Sequence, residues 1–169
     1  MGVIRRALLA GLTGGVALSA AAFAGDSGDL ALTGTVAQLL DIQVTPTASA
    51  SGLDLATQQS ALKVADVVTV SNTPGGYIVT VSSANVGTGN CTAPCFFSES
   101  AEDSLAFTLA EGTTALSFTA ETATFAESAE RTGAGGDAYV VNLSYDGTTT
   151  NLATAADYSE TLTFTIALN

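Results

Sequence analysis

The sequence predicts an all-β fold, an immunoglobulin-like antiparallel β-sandwich of about eight strands. Three observations predict it. Apolar residues recur at every second position through most of the chain, the period of a strand with one face in a core. Turn signals rich in Gly, Asn and Asp break that alternation every ten residues or so. Hydrophobic residues make up 47% of the chain despite a net charge of −12, so the acidity belongs to a folded surface and not to a disordered acidic chain.

The first 24 residues follow a different rule. Arg5 and Arg6 precede an uncharged apolar run, Ala7 to Ala21, and Ala22-Phe23-Ala24 has the small-x-small form of a cleavage site. That layout predicts a signal peptide over residues 1–24 and an exported protein, in the periplasm, at the cell surface or outside the cell. The apolar run falls short of the roughly 20 residues a spanning helix needs, so no membrane insertion is expected after cleavage. The remaining residues, 25–169, suit a single domain.

Each strand has its own signature. Leu30, Leu32 and Val36 share one face of a first run, with Gly34 leaving a gap on that face. Leu40, Ile42 and Val44 form a second run, stopped by Pro46. Ala48 to Gly52 is a loop of small residues, and Leu53-Asp54-Leu55 reads as a short strand. Leu62 to Ser71 and Tyr77 to Ser83 flank Asn72-Thr73-Pro74-Gly75-Gly76, and are expected to pair as a hairpin. Asn85 to Ser104 reads as a loop. Leu105, Phe107 and Leu109 alternate, turn at Glu111-Gly112-Thr113-Thr114 and continue through Leu116 and Phe118 as a second hairpin. A strand follows at Glu121 to Phe125, and a polar Gly-rich loop at Glu127 to Asp137. Tyr139, Val141, Leu143 and Tyr145 alternate clearly. The last strand sets Leu162, Phe164, Ile166 and Leu168 against Thr161, Thr163, Thr165 and Ala167. An outer-membrane barrel shares this alternation, but only 7% of residues are aromatic, too few for its interfacial girdles.

Function classes fall away by chemistry. Without Arg5 and Arg6, Lys63 and Arg131 stand against 16 acids, a balance that repels nucleic acid. The chain has no His, which removes the usual neutral-pH base and every Ser-His-Asp or Cys-His arrangement. Paired carboxylates could hydrolyse glycosides, but with 16 acids and no Trp a chance pair carries no weight. Gly133-Ala134-Gly135-Gly136 does not link a strand to a helix as a phosphate loop must. No catalytic residue, cofactor or metal site is assigned. Glu99, Glu102 and Asp103, like Asp26 and Asp29, lack the ligand spacing of a calcium loop and read as solvated surface. Cys91 and Cys95, with Pro94 turning the chain between them, are expected to form a disulfide that staples a loop. Tyr158, just before the last strand, is expected at a sandwich corner, hydrogen-bonded to the connecting backbone.

The order of these pieces resembles the spore coat protein U type domain of archaic chaperone-usher fimbrial subunits. The matching stretches are Leu30 to Val36, Leu40-x-Ile42-x-Val44, Leu53-Asp54-Leu55, Gly75 to Ser82 and Tyr158 to Ile166, which together span nearly all of residues 25–169. The chain departs from that family in its cysteines: the pair at 91 and 95 does not tie the first strand to the core. The resemblance implies a sandwich lacking one strand, completed by the N-terminal strand of a neighbouring subunit. It also implies a periplasmic chaperone, an usher and related subunits as partners. Leu30, Leu32, Gly34 and Val36, within residues 29–36, are then the candidate donor strand, with Gly34 suited to a shallow pocket. Pairing of that strand within its own sandwich gives the same alternation.

Two functions remain. One is a structural subunit of a surface appendage, coat or matrix that self-associates. The other is a monomeric extracellular module binding calcium, glycan or protein through its loops, Asn85 to Ser104 and Glu127 to Asp137.

Overall fold

The computed structural model describes residues 29–148 and 153–169. The expected signal peptide, residues 1–24, lies outside the described residues. Val36–Asn169 forms a compact unit that contains every strand, and the residues before Val36 belong to a separate unit.

The compact unit is an all-β sandwich of two antiparallel sheets. Nine strands are described: β1 (Leu40–Pro46), β2 (Gln58–Ser71), β3 (Tyr77–Ser83), β4 (Cys95–Ser98), β5 (Asp103–Glu111), β6 (Thr114–Ala115), β7 (Thr122–Ser128), β8 (Asp137–Asp146) and β9 (Leu162–Leu168). The larger sheet has the order β1-β2-β8-β5-β4, with β6 also on β5, and the smaller has the order β7-β3-β9. A 3-10 turn, Ala48–Ala50, follows β1.

The core lies between the sheets and is filled as the alternation dictates. The large sheet contributes Val67, Leu105, Phe107, Leu109, Val141, Leu143 and Tyr145, and the small sheet Tyr77, Val79, Val81, Ala123 and Phe125. Their neighbours in sequence face outward, so each strand reads buried-then-open along its length. Phe96 on β4 packs 4.8 Å from Phe107 and edge-on to Tyr145 at 5.9 Å, ring centre to ring centre. One polar cluster crosses the core. The Tyr77 hydroxyl on β3 lies 2.8 Å from Thr69 Oγ1 on β2, and 2.7 and 2.6 Å from Asp137 Oδ2 and the Tyr139 hydroxyl on β8. Burial holds the Tyr77 proton well above the ordinary tyrosine range, with the Tyr139 and Asp137 contacts adding to it, so this neutral group ties the two sheets together.

Five sequence expectations change. The strands before and after Asn72–Gly76 do not form a hairpin: β2 pairs with β1 and β8, while β3 pairs with β7 and β9. The five-residue connection spans from one sheet to the other, about 10 Å, where a hairpin would use a shorter turn. Gly76 makes the bend, at φ +78° and against the Ser128 carbonyl, where a Cβ has no room. Leu53-Asp54-Leu55 is not a strand. Asp54 Oδ1 accepts the Ala56 N–H at 3.1 Å and its carbonyl accepts Thr57 Oγ1 at 2.8 Å, a local side-chain turn that outcompetes pairing. The stretch expected as a loop, Asn85 to Ser104, contains β4, whose Cys95 and Phe96 are buried. The second expected hairpin is brief, since β6 has only two residues and Leu116 and Phe118 lie beyond it.

Leu30 to Val36, expected as a strand, is not one: no regular structure is present from Asp29 to Leu39. Alternation supplies the side chains for a strand, but the backbone still needs a neighbour to bond. Leu30, Leu32 and Val36 are each more than 80% exposed.

Candidate functional site: the seam between β1 and β9

The last strand, β9, reads Leu162-Thr-Phe-Thr-Ile-Ala-Leu168 and pairs along its whole length with β3 on one side, Leu162 opposite Ser83 and Leu168 opposite Tyr77. Its other edge exchanges no backbone hydrogen bond with any described strand. The first strand, β1, pairs with β2 on one side only, Leu40 opposite Ser71 and Pro46 opposite Ala65. These two edges come within 8 Å of each other, Cα to Cα, without bonding. Paired strands sit about 4.8 Å apart, so a strand that joined both edges would hold them a little under 10 Å apart.

Burial shows the consequence. Tyr77, Val79 and Val81 on β3 are fully buried. Leu162, Phe164 and Ile166 on β9 point the same way and pack on the same core, yet are only half-buried. Across the seam Leu40 and Ile42 are half-buried, Val44 is 38% exposed, and Leu168 is 50% exposed. Along this line the core is only partly covered on both sides.

One end of the seam opens into a cavity of about 300 Å³. Pro46, Leu53 and Leu162 stand around it and Phe96, Phe107 and Leu143 form its apolar floor. A broader depression of about 950 Å³ adjoins it, between residues 50–56 and 153–160. Glu160 stands where the two meet. Its carboxylate accepts Ser83 Oγ at 2.6 Å and the N–H groups of Ala84 and Thr161 at 2.9 and 2.7 Å, which fixes where β9 begins.

The segment leading into β9 is held by Asp103 at the start of β5. Its Oδ2 accepts the Thr154 N–H at 2.7 Å and its Oδ1 the Ser104 N–H at 2.8 Å. These bonds, Thr154 foremost, lower its pKa to about 2. Tyr158 is half-buried, and its hydroxyl lies 2.9 Å from the Thr154 carbonyl and 3.1 Å from Asp103 Oδ2. Burial, then Asp103, raises the Tyr158 pKa. Cys91 and Cys95 form a disulfide with their Cα atoms 5.9 Å apart, both side chains buried beside β4. Asn85 Nδ2 ties this loop to the same region, 3.0 Å from the Cys95 carbonyl and 2.6 Å from that of Ser159.

The sequence-derived candidates therefore separate. Tyr158 and the cysteines sit in the supports of the seam, Leu30, Leu32 and Gly34 lie in the unit that precedes the compact one, and Val36 is the first residue of the compact unit. Missed by the sequence reading were Glu160 and Asn72. Asn72 was visible only as a turn residue, yet it binds the chain just before β1: Oδ1 accepts the Leu39 N–H at 2.7 Å and Nδ2 donates to the Ala37 carbonyl at 2.8 Å. Among the described residues no three His, Cys, Asp or Glu side chains converge as a metal site would need, and no helix is long and apolar enough to cross a membrane. No protein-family model matches the chain, and no curated protein matches it significantly.

Proposed function

We propose that this protein is an exported, non-enzymatic structural subunit of a bacterial surface appendage, coat or matrix, assembled by β-strand addition. The β1–β9 seam of one copy receives residues 29–36 of the next, and Leu30, Leu32 and Val36 complete the burial that Phe164, Ile166 and Ile42 lack. The sandwich is then an immunoglobulin-like fold short of one strand, supplied in trans. Export through a signal peptide, and hand-over by a periplasmic chaperone and an usher, belong to the same reading, which the family resemblance motivates.

The single observation that carries it is the unfinished seam: a half-buried strand with one unpaired, uncharged edge in a chain of net charge −12. Proteins normally blunt such an edge with Lys, Pro, a bulge or an inward charge. Over its seven residues β9 has no charge and no proline, and its register on β3 is unbroken. A partner strand satisfies its backbone and covers its side chains at once. The occupant fits by composition, since the exposed apolar residues Leu30, Leu32 and Val36 keep the alternation a strand in that position must have.

Electron microscopy of the purified protein lacking residues 1–24 tests this. Filaments are expected, and deletion of residues 25–36 is expected to leave folded, unassembled subunits. A full-length processed chain that remains a monomer at high concentration, or a truncated chain that assembles as before, would overturn the reading. A monomer that binds calcium or glycan through its loops would favour the alternative, a secreted binding module.

A further inference from the structure

We propose that Asn72 is a positioning residue that keeps the N-terminal extension out of its own seam and so commits it to a second copy. This rests on the strand-addition reading above and concerns how that site is regulated.

The geometry comes from chain direction. β1 runs from Leu40, beside Ser71, to Pro46, and β9 ends at Leu168, opposite Tyr77. An extension that entered its own seam would have to reverse immediately before Leu40 and return alongside β1 as a hairpin. The residues available for that turn are Ala37, Gln38 and Leu39, a short loop of ordinary hairpin length. Those are the residues Asn72 holds. Its backbone N–H donates to the Leu39 carbonyl at 3.2 Å, which carries the β1–β2 ladder one step past Leu40. Its side-chain amide brackets the same stretch, accepting from Leu39 N–H and donating to the Ala37 carbonyl. Bound in this way to Asn72, Ala37 and Leu39 are not free to form the turn.

Asn72 therefore separates two outcomes of similar buried area: closure on itself, which ends growth, and insertion into a neighbour, which propagates it head to tail.

The test uses the full processed chain as wild type, Asn72→Ala and Asn72→Asp. Assembly is followed by light scattering. The monomer is followed by thermal melting and by the rate of proteolysis within residues 29–36. Losing both side-chain bonds is expected to slow assembly about tenfold. The Asn72→Ala monomer should melt higher than wild type and protect residues 29–36, because its extension has closed on itself. Asn72→Asp keeps the acceptor for Leu39 N–H and should fall between the two. Slow assembly with a lower melting temperature and an exposed extension would show only a structural role and overturn the proposal, as would unchanged assembly. A wild-type chain that never assembles removes the strand-addition reading itself. A wild type that assembles with Asn72→Ala unaffected removes the clamp alone.

Discussion

The small sheet has two outer strands of equal length, and they are finished differently. On β7, Ala123, Phe125 and Ala126 are all buried, the register on β3 shifts between Val79 and Thr80, and Glu127 lies near the end. On β9, Leu162, Phe164 and Ile166 are half-buried, the register is continuous and no residue is charged. The same central strand, β3, supports both, and Phe125 and Phe164 even meet edge to face at 5.1 Å. A bulge and a charge discourage further pairing. β7 has both and a closed core behind it, while β9 has neither and an open one. Under the strand-addition reading, the contrast marks β9 as the edge a further strand would join.

The sharpest way to break the comparison is to put one charge on each edge. Thr165 on β9 and Thr124 on β7 are both exposed. Thr165→Lys is expected to abolish filament formation and Thr124→Lys to leave it intact, while each changes monomer stability by no more than about 0.5 kcal/mol. Electron microscopy and urea unfolding read the two effects separately.

The aromatic pair gives the next largest difference. Phe125→Ala should destabilise the monomer by about 3–5 kcal/mol, the cost of emptying a closed core. Phe164→Ala should cost the monomer less than that, because part of its surface is already wet. In the assembled form the Phe164→Ala cost should rise toward the Phe125 value. Denaturant midpoints for monomer and polymer decide this.

Smaller effects concern the supports. Replacing Cys91 and Cys95 together by Ser should cost about 2 kcal/mol or less, since the closed ring is short, and filaments should still form. Asp103 has a pKa of about 2 in the fold against 3.8 unperturbed. The stability it contributes is therefore complete above about pH 4 and is lost as the pH falls through 2. Amide exchange at Thr154 should accelerate over that window in the wild type, and Asp103→Asn should show fast exchange already at neutral pH.

Much of the sandwich was legible because strand alternation is a local property. Tyr77, Val79 and Val81, and Leu105, Phe107 and Leu109, can be assigned to the core from their spacing alone, and they are buried. Pairing is not local. The sequence around Asn72–Gly76 has the composition of a hairpin turn, and only the competing partners β7, β8 and β9 decide that it crosses between sheets. Leu53-Asp54-Leu55 failed because an Asp side chain can satisfy nearby N–H groups as well as a strand can. β4 was hidden by the cysteines and serines around Phe96. The seam was half visible: the pattern of β9 and that of residues 30–36 both stand out in sequence, but that the outer edge of β9 and residues 30–36 lack a pairing partner is a property of the fold. The Asn72 clamp could not be read, since nothing in a lone Asn indicates a bond to residues 33 and 35 positions earlier.

Hydrogen exchange along β9 and residues 30–36, compared between the monomer and assembled forms of the processed chain, tests the open seam most directly. The account predicts fast exchange in the monomer of residues 30–36 and of the β9 amides that face away from β3, and joint protection of both on assembly, with β7 unchanged. Protection of the outer-edge amides of β9 already in the monomer, or assembly that leaves residues 30–36 exchanging freely, would contradict it.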